Sequence, residues 1–367
     1  MSDTEPHVLL FAGAFELRGS SAYTVRLAER LQSHGVQAEI ICSDARRIES
    51  ERLPRCPLRV YPHFDFPLWG RAVLGTIRRD LAAAPPDLIH VQSWKVAAQG
   101  AWLAEKLDRP YMLTVHDYVP GEQRLRLDPH RCRRIIAVSD AVRAELLGRV
   151  PLADEQVRVI HSGVDPAVAA ETLPVLEPGH IPVVGTAGPL EAVKGLPYLL
   201  LAAHQVLQTH RDVEFLVAGA GPEEASLRRL ARELKIADNV TFAPNLQDLT
   251  PSLAAMDIFC LPSLRQGLGT IMLQAMALGK PVIATGVGGV YSVVRHEETG
   301  LVVQPSNAEE LAERIVSLLD DPLKARSIAA AGQRLVRERF GVEKMVERTA
   351  ALYREVLAES EPAIAAR

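Results

Sequence analysis

The chain has 367 residues, of which 48% are hydrophobic and 23% charged, with a formal net charge of −4. That composition belongs to an ordinary globular protein, too long for one compact core and sized for two domains of roughly 150–200 residues each. The charge is near balance and neither half is a basic module, which argues against nucleic acid as the main partner.

The elements alternate. Short apolar or β-branched runs in the first half read as strands: "HVLLFAG", "AEIICS", "LIHVQ", "YMLTVHD", "RIIAVS" and "VRVIHSG". The first of these opens the chain, so "MSDTEPHVLLFAG" is expected to be a strand and not a signal peptide. Amphipathic helices lie between several of them. In "SAYTVRLAERLQSHG", Val25, Leu27, Ala28 and Leu31 are apolar and Gly35 marks the end. Strand, crossover helix, strand implies a mostly parallel sheet covered on both faces. The cluster Arg131, Arg133, Arg134 reads as a solvated helix face, with peripheral contact to an anionic membrane as the alternative. The stretch "AAETLPVLEPGHIPVV" then breaks the rhythm with Pro174, Pro178 and Pro182, and the domain boundary is expected there: a first domain over 1–173, a second over 182–341. Alternation restarts with "VVGTAG", "EFLVAGAG", "VTFAP", "IFCLPS", "PVIAT" and "GLVVQ". A last helix, roughly Val342 to Glu359, follows a complete second domain and is expected to pack elsewhere.

No apolar run approaches the roughly 20 residues that span a bilayer. Cys42, Cys56, Cys132 and Cys260 form neither a zinc pattern nor a disulfide framework, which fits a reducing cytoplasm. No GxSxG, HExxH or GK[ST] motif occurs, and no Asp-x-Asp pair is present to hold a metal–nucleotide complex.

Candidate sites fall where strands end, the position at which open α/β sheets bind ligands. After "IFCLPS" comes "RQGLGTIMLQAMALG", a glycine loop running into an apolar helix. Gly267 and Gly269 allow close backbone approach beside Leu268, and Thr270 is the expected N-cap. The helix start attracts phosphate. Gln274, eight positions after Gln266, lies one turn beyond Thr270 and can hydrogen-bond a polyhydroxylated ligand; its competing reading is an amide satisfied in the core. Lys194 just before a helix can neutralise a diphosphate, or be solvated surface. Gly219 and Gly221 form a second strand–glycine–helix turn, weak evidence by itself. In the first half, Gly19 and Ser20 stand at a helix start behind "FAGAFELR". His116 ends the strand "YMLTVHD", where it can deprotonate or orient a hydroxyl, bond to sugar oxygens, or be satisfied near a loop.

These segments, with "AVSDAVRAELL", "VRVIHSGVD", "KGLPYLL", "ETGLVV" and "RFGVEKMVERTAALYREVL", resemble in order and spacing the retaining, nucleotide-sugar-dependent glycosyltransferases of group 1 (family 4). The resemblance runs from the N-terminus to about residue 357 and implies GT-B architecture: two Rossmann-like doubly wound α/β domains facing a central cleft. It implies that the last helix, over 342–367, crosses back to the first domain, that the donor is held by the second domain and the acceptor by the first, and that neither metal nor cofactor is needed beyond the nucleotide-diphosphate sugar. By position, Gly19 and Ser20 match the glycine loop beside the donor phosphates, His116 the histidine near the transferred sugar, and Lys194 the lysine gripping the diphosphate. Gln266 and Gln274 fall on the two glutamates of an E-x7-E motif, which touch donor-sugar hydroxyls and ribose hydroxyls respectively.

The departures are specific. Both motif glutamates are glutamines, Pro189 replaces an arginine that pairs with the lysine, and Gln92 replaces the second histidine of an H-x-H, leaving His90. A charged hydrogen bond contributes roughly 1.5–3 kcal/mol against about 0.5–1.5 for a neutral one, so each glutamine weakens the site about tenfold without disabling it. The expectation is sugar transfer to an acceptor hydroxyl, on a glycan or lipid-linked acceptor of a bacterial cell surface, in the cytoplasm or at the inner membrane face. A weak or silent homologue that binds nucleotide sugar or serves as a partner subunit is the alternative. Base, sugar, acceptor and oligomeric state are not readable.

Overall fold

A computed structural model describes residues 5–16, 19–46, 56–66, 69–123, 125–165, 175–244 and 248–365. Leu17 and Arg18 of the first glycine loop, and Pro174, lie outside the described residues. The chain forms two compact units, Met1–Gly163 with Val342–Arg367, and Val164–Gly341.

In the first unit the strands are β1 (His7–Phe11), β2 (Gln37–Cys42), β3 (Leu58–Val60), β4 (Leu88–Val91), β5 (Tyr111–Val115), β6 (Cys132–Ala137) and β7 (Val157–Val159). They pair in the order β3-β2-β1-β4-β5-β6-β7, every pair parallel. Edge strand β3 is invisible to pattern reading, since only three residues form it and Val60 is exposed. Helices α1 (Gly19–Leu31), α2 (Gly70–Ala82), α3 (Ala97–Leu107) and α4 (Asp140–Arg149) connect the strands. Along α1, Tyr23, Leu27, Ala28 and Leu31 are buried on one stripe, and Gly35 closes the following turn at φ 66°. The final helix, Val342–Ala365, belongs to this unit. Met345, Val346, Ala350, Leu352, Tyr353 and Val356 share one core cluster with Leu10, Tyr23 and Leu27.

The arginine cluster is not on a helix. Arg133 and Arg134 lie in β6 and Arg131 immediately precedes it. Arg131 pairs with Asp108 at 2.8 Å, and Arg134 with Glu355 at 2.8 Å and with Glu359, both on the final helix. Arg131 and Arg134 serve internal ion pairing.

A polar seam runs through the first core. His90 is fully buried, with Nδ1 2.6 Å from the Tyr353 hydroxyl and Nε2 2.7 Å from the Thr114 hydroxyl. Burial pushes its imidazole down to about pH 3, so it is neutral in the folded chain.

The second unit holds β8 (Val183–Ala187), β9 (Glu214–Ala218), β10 (Val240–Ala243), β11 (Ile258–Leu261), β12 (Val282–Thr285) and β13 (Leu301–Val303), parallel in the order β10-β9-β8-β11-β12-β13. Helices α5 (Leu196–Val206), α6 (Glu224–Glu233), α7 (Thr250–Ala254), α8 (Thr270–Ala277), α9 (Ala308–Leu319) and α10 (Pro322–Arg339) complete it. No described helix is long and apolar enough to cross a membrane.

The division between units falls at Gly163/Val164, ahead of the proline-bearing stretch. Val164 donates its N–H to Phe340 O at 2.9 Å, and Val175 and Leu176 are buried in the second core, so these residues are already committed to the second unit. Buried Asp257, at the start of β11, ties this entry down by accepting from Leu176 N at 2.8 Å and Val183 N at 2.9 Å, with His180 Nε2 at 3.1 Å.

Two stability predictions arise here. Asp257→Ala strands two backbone donors at about 1–3 kcal/mol each, so the unfolding free energy from a urea titration should fall by about 2–6 kcal/mol; an unchanged midpoint would remove Asp257 from this role. For His90, the unfolded chain binds a proton between pH 6.5 and about 3 that the folded chain refuses. Stability is therefore full above pH 6.5 and declines as pH falls through that window, by up to about 1.4 kcal/mol per pH unit. His90→Gln should remove that share of the slope in pH-dependent urea unfolding.

Candidate functional site

Chain direction in the second sheet sets the site. From β8 the chain moves to β9 and β10 on one side, then returns to β11 on the other, so β8 and β11 are neighbours whose carboxyl-end loops part in opposite directions. Such a reversal leaves a crevice at the strand ends.

After β8 the chain turns at Gly188 (φ 132°), makes a short helical turn Ala192–Lys194, and caps α5 with Gly195 at φ 63°. The loop after β11 lies against it: Leu264 N donates to Val193 O at 2.8 Å, and a β-carbon at Gly195 would sit 2.1 Å from Pro262 O. This contact brings Lys194 Nζ to 3.0 Å from Gln266 Oε1, which also accepts from Ser263 Oγ at 3.2 Å. The buried Thr285 hydroxyl, at the end of β12, donates to Ser263 O and, at 3.3 Å, to Leu261 O, fixing the loop from below. Gly289 N donates to Gln266 O at 3.1 Å, and a β-carbon at Gly289 would meet Gly267 O at 1.9 Å. Ser263, Thr285 and Gly289 were not anticipated from the sequence. A polar Ser-x-x-Gln spacing and the glycine pair after "PVIAT" are the signals that could have found them.

The helix behind this loop starts one residue earlier than its side chains suggest. Gly269, left-handed at φ 93°, is the N-cap of α8, and no side chain caps it. Thr270 is therefore the first helical residue and not the cap, because the turn requires a positive φ that threonine adopts only with strain. Gly267 and Leu268 are buried. Along α8, Met272, Leu273, Ala275, Met276 and Ala277 are buried while Gln274 is half-exposed. Among the described residues its side-chain amide has no hydrogen-bond partner, so the core does not satisfy it.

Gly219 and Gly221 have a packing role. A β-carbon at Gly219 would lie 2.0 Å from Gly188 O, and one at Gly221 2.3 Å from Leu190 O. Their smallness lets the β9 loop close onto the β8 loop, where Gly188 N donates to Ala218 O at 2.9 Å and Leu190 N to Ala220 O at 3.0 Å. Pro189 stands in that seam. Arg265 is exposed.

In the first unit the strand order reverses between β1 and β4, and the candidate residues there form a separate cluster. Gly19 and Ser20 begin α1, Ser20 O accepts from Thr24 Oγ1 at 3.1 Å, and Thr24 donates on to Gln92 Oε1 at 3.2 Å. Gln92 thus holds this helix start, with its Nε2 donating to His90 O at 3.2 Å. His116 directly follows β5, its ring edge-on to Tyr23 at a centroid distance of 4.8 Å. Its Nε2 is buried and has no partner. Burial pushes the imidazole down to about 4, against an opposing backbone group of Gln92. At neutral pH it is an uncharged ring, able to form hydrogen bonds without adding charge.

The sequence-predicted residues therefore fall into two sets. Lys194, at the end of the β8 loop, and Gln266, Gly267, Leu268, Gly269, Thr270 and Gln274, in the β11 loop and the start of α8, gather at the reversal of the second sheet, with Gly219 and Gly221 packed against the β8 loop. Gly19, Ser20 and His116 gather at the reversal of the first sheet.

Comparison with known proteins gives matching relatives over most of the chain. Residues 181–321 match the family model described as "Glycosyl transferases group 1", and residues 17–168 that of "Glycosyltransferase Family 4". Alpha-maltose-1-phosphate synthase of Mycobacterium tuberculosis is 31% identical over 335 residues, covering 78% of this chain and 84% of that protein. D-inositol 3-phosphate glycosyltransferase of Acidothermus cellulolyticus is 27% identical over 97% of this chain and 89% of that protein. The crystal structure of Anabaena HepE in complex with UDP-glucose superposes with a TM-score of 0.83 at 21% identity, covering 95% of this chain and 99% of that one. The two model matches, the extended similarity and the paired parallel sheets place the chain among the group 1 (family 4) glycosyltransferases, with the GT-B fold.

Proposed function

We propose that the chain transfers a sugar from a nucleoside-diphosphate sugar to an acceptor hydroxyl with retention of anomeric configuration. The observation that carries this reading is the meeting of Lys194 and Gln266 at the β8/β11 reversal, between the N-termini of α5 and α8. An ammonium and two helix starts favour a multiply charged anion there. The neighbouring structure solved with UDP-glucose supports a pyrophosphate as that anion.

In this reading Lys194 and the first N–H groups of α8 hold the diphosphate. The half-exposed Gln274 amide meets the ribose hydroxyls with neutral hydrogen bonds. As the bond between the anomeric carbon and the β-phosphate oxygen breaks, negative charge grows on that oxygen. Lys194 stabilises it more in the transition state than in the ground state, which is what accelerates the step. The acceptor oxygen bonds to the anomeric carbon on the departing face, and its proton passes to the leaving phosphate oxygen. No side-chain carboxylate is required as nucleophile or base, so glutamine at 266 and 274 is compatible with turnover. His116, held neutral, orients sugar oxygens through Nε2. The names of the relatives span acceptors as unlike as inositol phosphate and 2-deoxystreptamine, which supports committing to the donor and leaving the acceptor as a hydroxyl.

The test is a thermal-shift screen of the full chain with uridine, guanosine and adenosine diphosphates, followed by transfer or donor-hydrolysis assays on the selected base. Lys194→Ala removes a charged contact and should lower activity about 10- to 150-fold, whereas Gln274→Ala removes a neutral one and should cost about 2- to 10-fold. Equal losses would contradict the assignment of Lys194 to the diphosphate. Binding with no transfer or hydrolysis would identify a silent homologue instead, and a product of opposite anomeric configuration by NMR would overturn retention.

A further inference from the structure

The orientation of the Gln266 amide is fixed by chemistry. Lys194 Nζ can only donate, so the Gln266 atom 3.0 Å from it must be the carbonyl oxygen. Ser263 Oγ gives that oxygen a second donor at 3.2 Å, and Ser263 is itself fully buried and backed by the Thr285 hydroxyl on its carbonyl. Rotating the amide by half a turn would set an NH2 against an ammonium. The loop is also pinned at the Gln266 carbonyl by Gly289 N at 3.1 Å, so the side chain cannot be released by a backbone shift alone.

With the oxygen engaged twice, both N–H bonds of Nε2 point the other way. Among the described residues none accepts from them, and Nε2 is not a buried atom. A glutamate at this position would present only acceptors to a bound molecule. Gln266 presents only donors. A neutral hexose hydroxyl can satisfy either kind of partner, but an oxygen that carries no hydrogen is satisfied only by a donor.

We infer that Gln266 selects a donor sugar bearing a hydrogen-free acceptor oxygen, a carboxylate or an amide carbonyl, over an unmodified neutral hexose. The inference rests on the donor-binding reading above: Lys194 faces the β-phosphate, and the group bonded to that phosphate, the sugar, is what a side chain 3.0 Å from the ammonium meets next.

The experiment measures calorimetric affinities of the full chain for UDP-glucose, UDP-glucuronate and UDP-N-acetylglucosamine, with GDP-mannose and GDP-mannuronate as the guanosine pair. Wild-type chain should bind a uronate about tenfold more tightly than the neutral hexose on the same base, since only the carboxylate makes the hydrogen bond a charged one, and the acetamido sugar more tightly by a smaller margin. Gln266→Glu, nearly the same shape, has no N–H to offer, and should abolish or invert that preference, with the largest loss for a uronate facing a second carboxylate; its thermal melting shows that it is folded. Ser263→Ala frees the amide from one of its two anchors and should shrink the preference about threefold. Carboxylate and acetamido sources separate by which of the two modified uridine donors wins. Equal affinity for all sugars in wild type, or ratios unchanged in Gln266→Glu, overturns the inference and leaves the donor-binding reading standing, since the amide would then meet phosphate. Failure of every UDP and GDP compound to bind overturns that reading, and this inference with it.

Discussion

The second unit turns on a backbone constraint, the packing of the β8 loop against the β11 loop. Those strands are adjacent only because the chain reverses direction across the sheet, and the loops meet because Gly195 lets the backbone within contact of Pro262 O. A β-carbon there would force the loops apart, and with them Lys194 and Gln266. The same device recurs on either side: Gly219 and Gly221 seat the β9 loop, and Gly289 seats the β12 loop on Gly267. Four strand ends thus converge on one short hydrogen-bonded contact between an ammonium and an amide.

Electrostatics at that contact differ from a lysine–carboxylate pair. A carboxylate would neutralise much of the ammonium's field and would accept from any ligand hydroxyl. The amide leaves its neighbour's charge uncancelled by that side chain and reverses the hydrogen-bonding sense of what it shows to a ligand. Exchange of glutamate for glutamine here is thus a change of preference as much as a loss of strength. The first unit uses neutrality in another way: burial keeps both His90 and His116 uncharged, the former holding the final helix through Tyr353 and the latter keeping a buried ring nitrogen without a partner among the described residues.

Much of this was legible in the sequence, for physical reasons. Twelve of the thirteen strands among the described residues coincide with apolar runs, because strands of a covered parallel sheet are buried on both faces. Only β3 escaped, a half-exposed edge of three residues. Glycine loops marked the strand ends correctly, yet what each glycine does was not readable: Gly219 and Gly221 touch backbone, which depends on a neighbour far along the chain. Thr270 was misread as a cap since capping preference carries no knowledge of the left-handed Gly269. The arginines at 131, 133 and 134 were assigned to a helix because charge clusters are ambiguous without their partners, and those of Arg134, Glu355 and Glu359, are over two hundred residues away. Ser263 and Thr285 were silent for the same reason; ordinary polar residues acquire meaning only through the oxygen they hold in place.

The central claim is that the Lys194 ammonium and the adjoining helix starts bind a pyrophosphate at the β8/β11 reversal. Titrating the full chain with a nucleoside diphosphate and with the matching monophosphate, by calorimetry at fixed salt, tests it most directly. The account predicts that the diphosphate binds at least about tenfold more tightly, since only it carries the phosphate that reaches the charged contact. Equal affinity for the two nucleotides would contradict it.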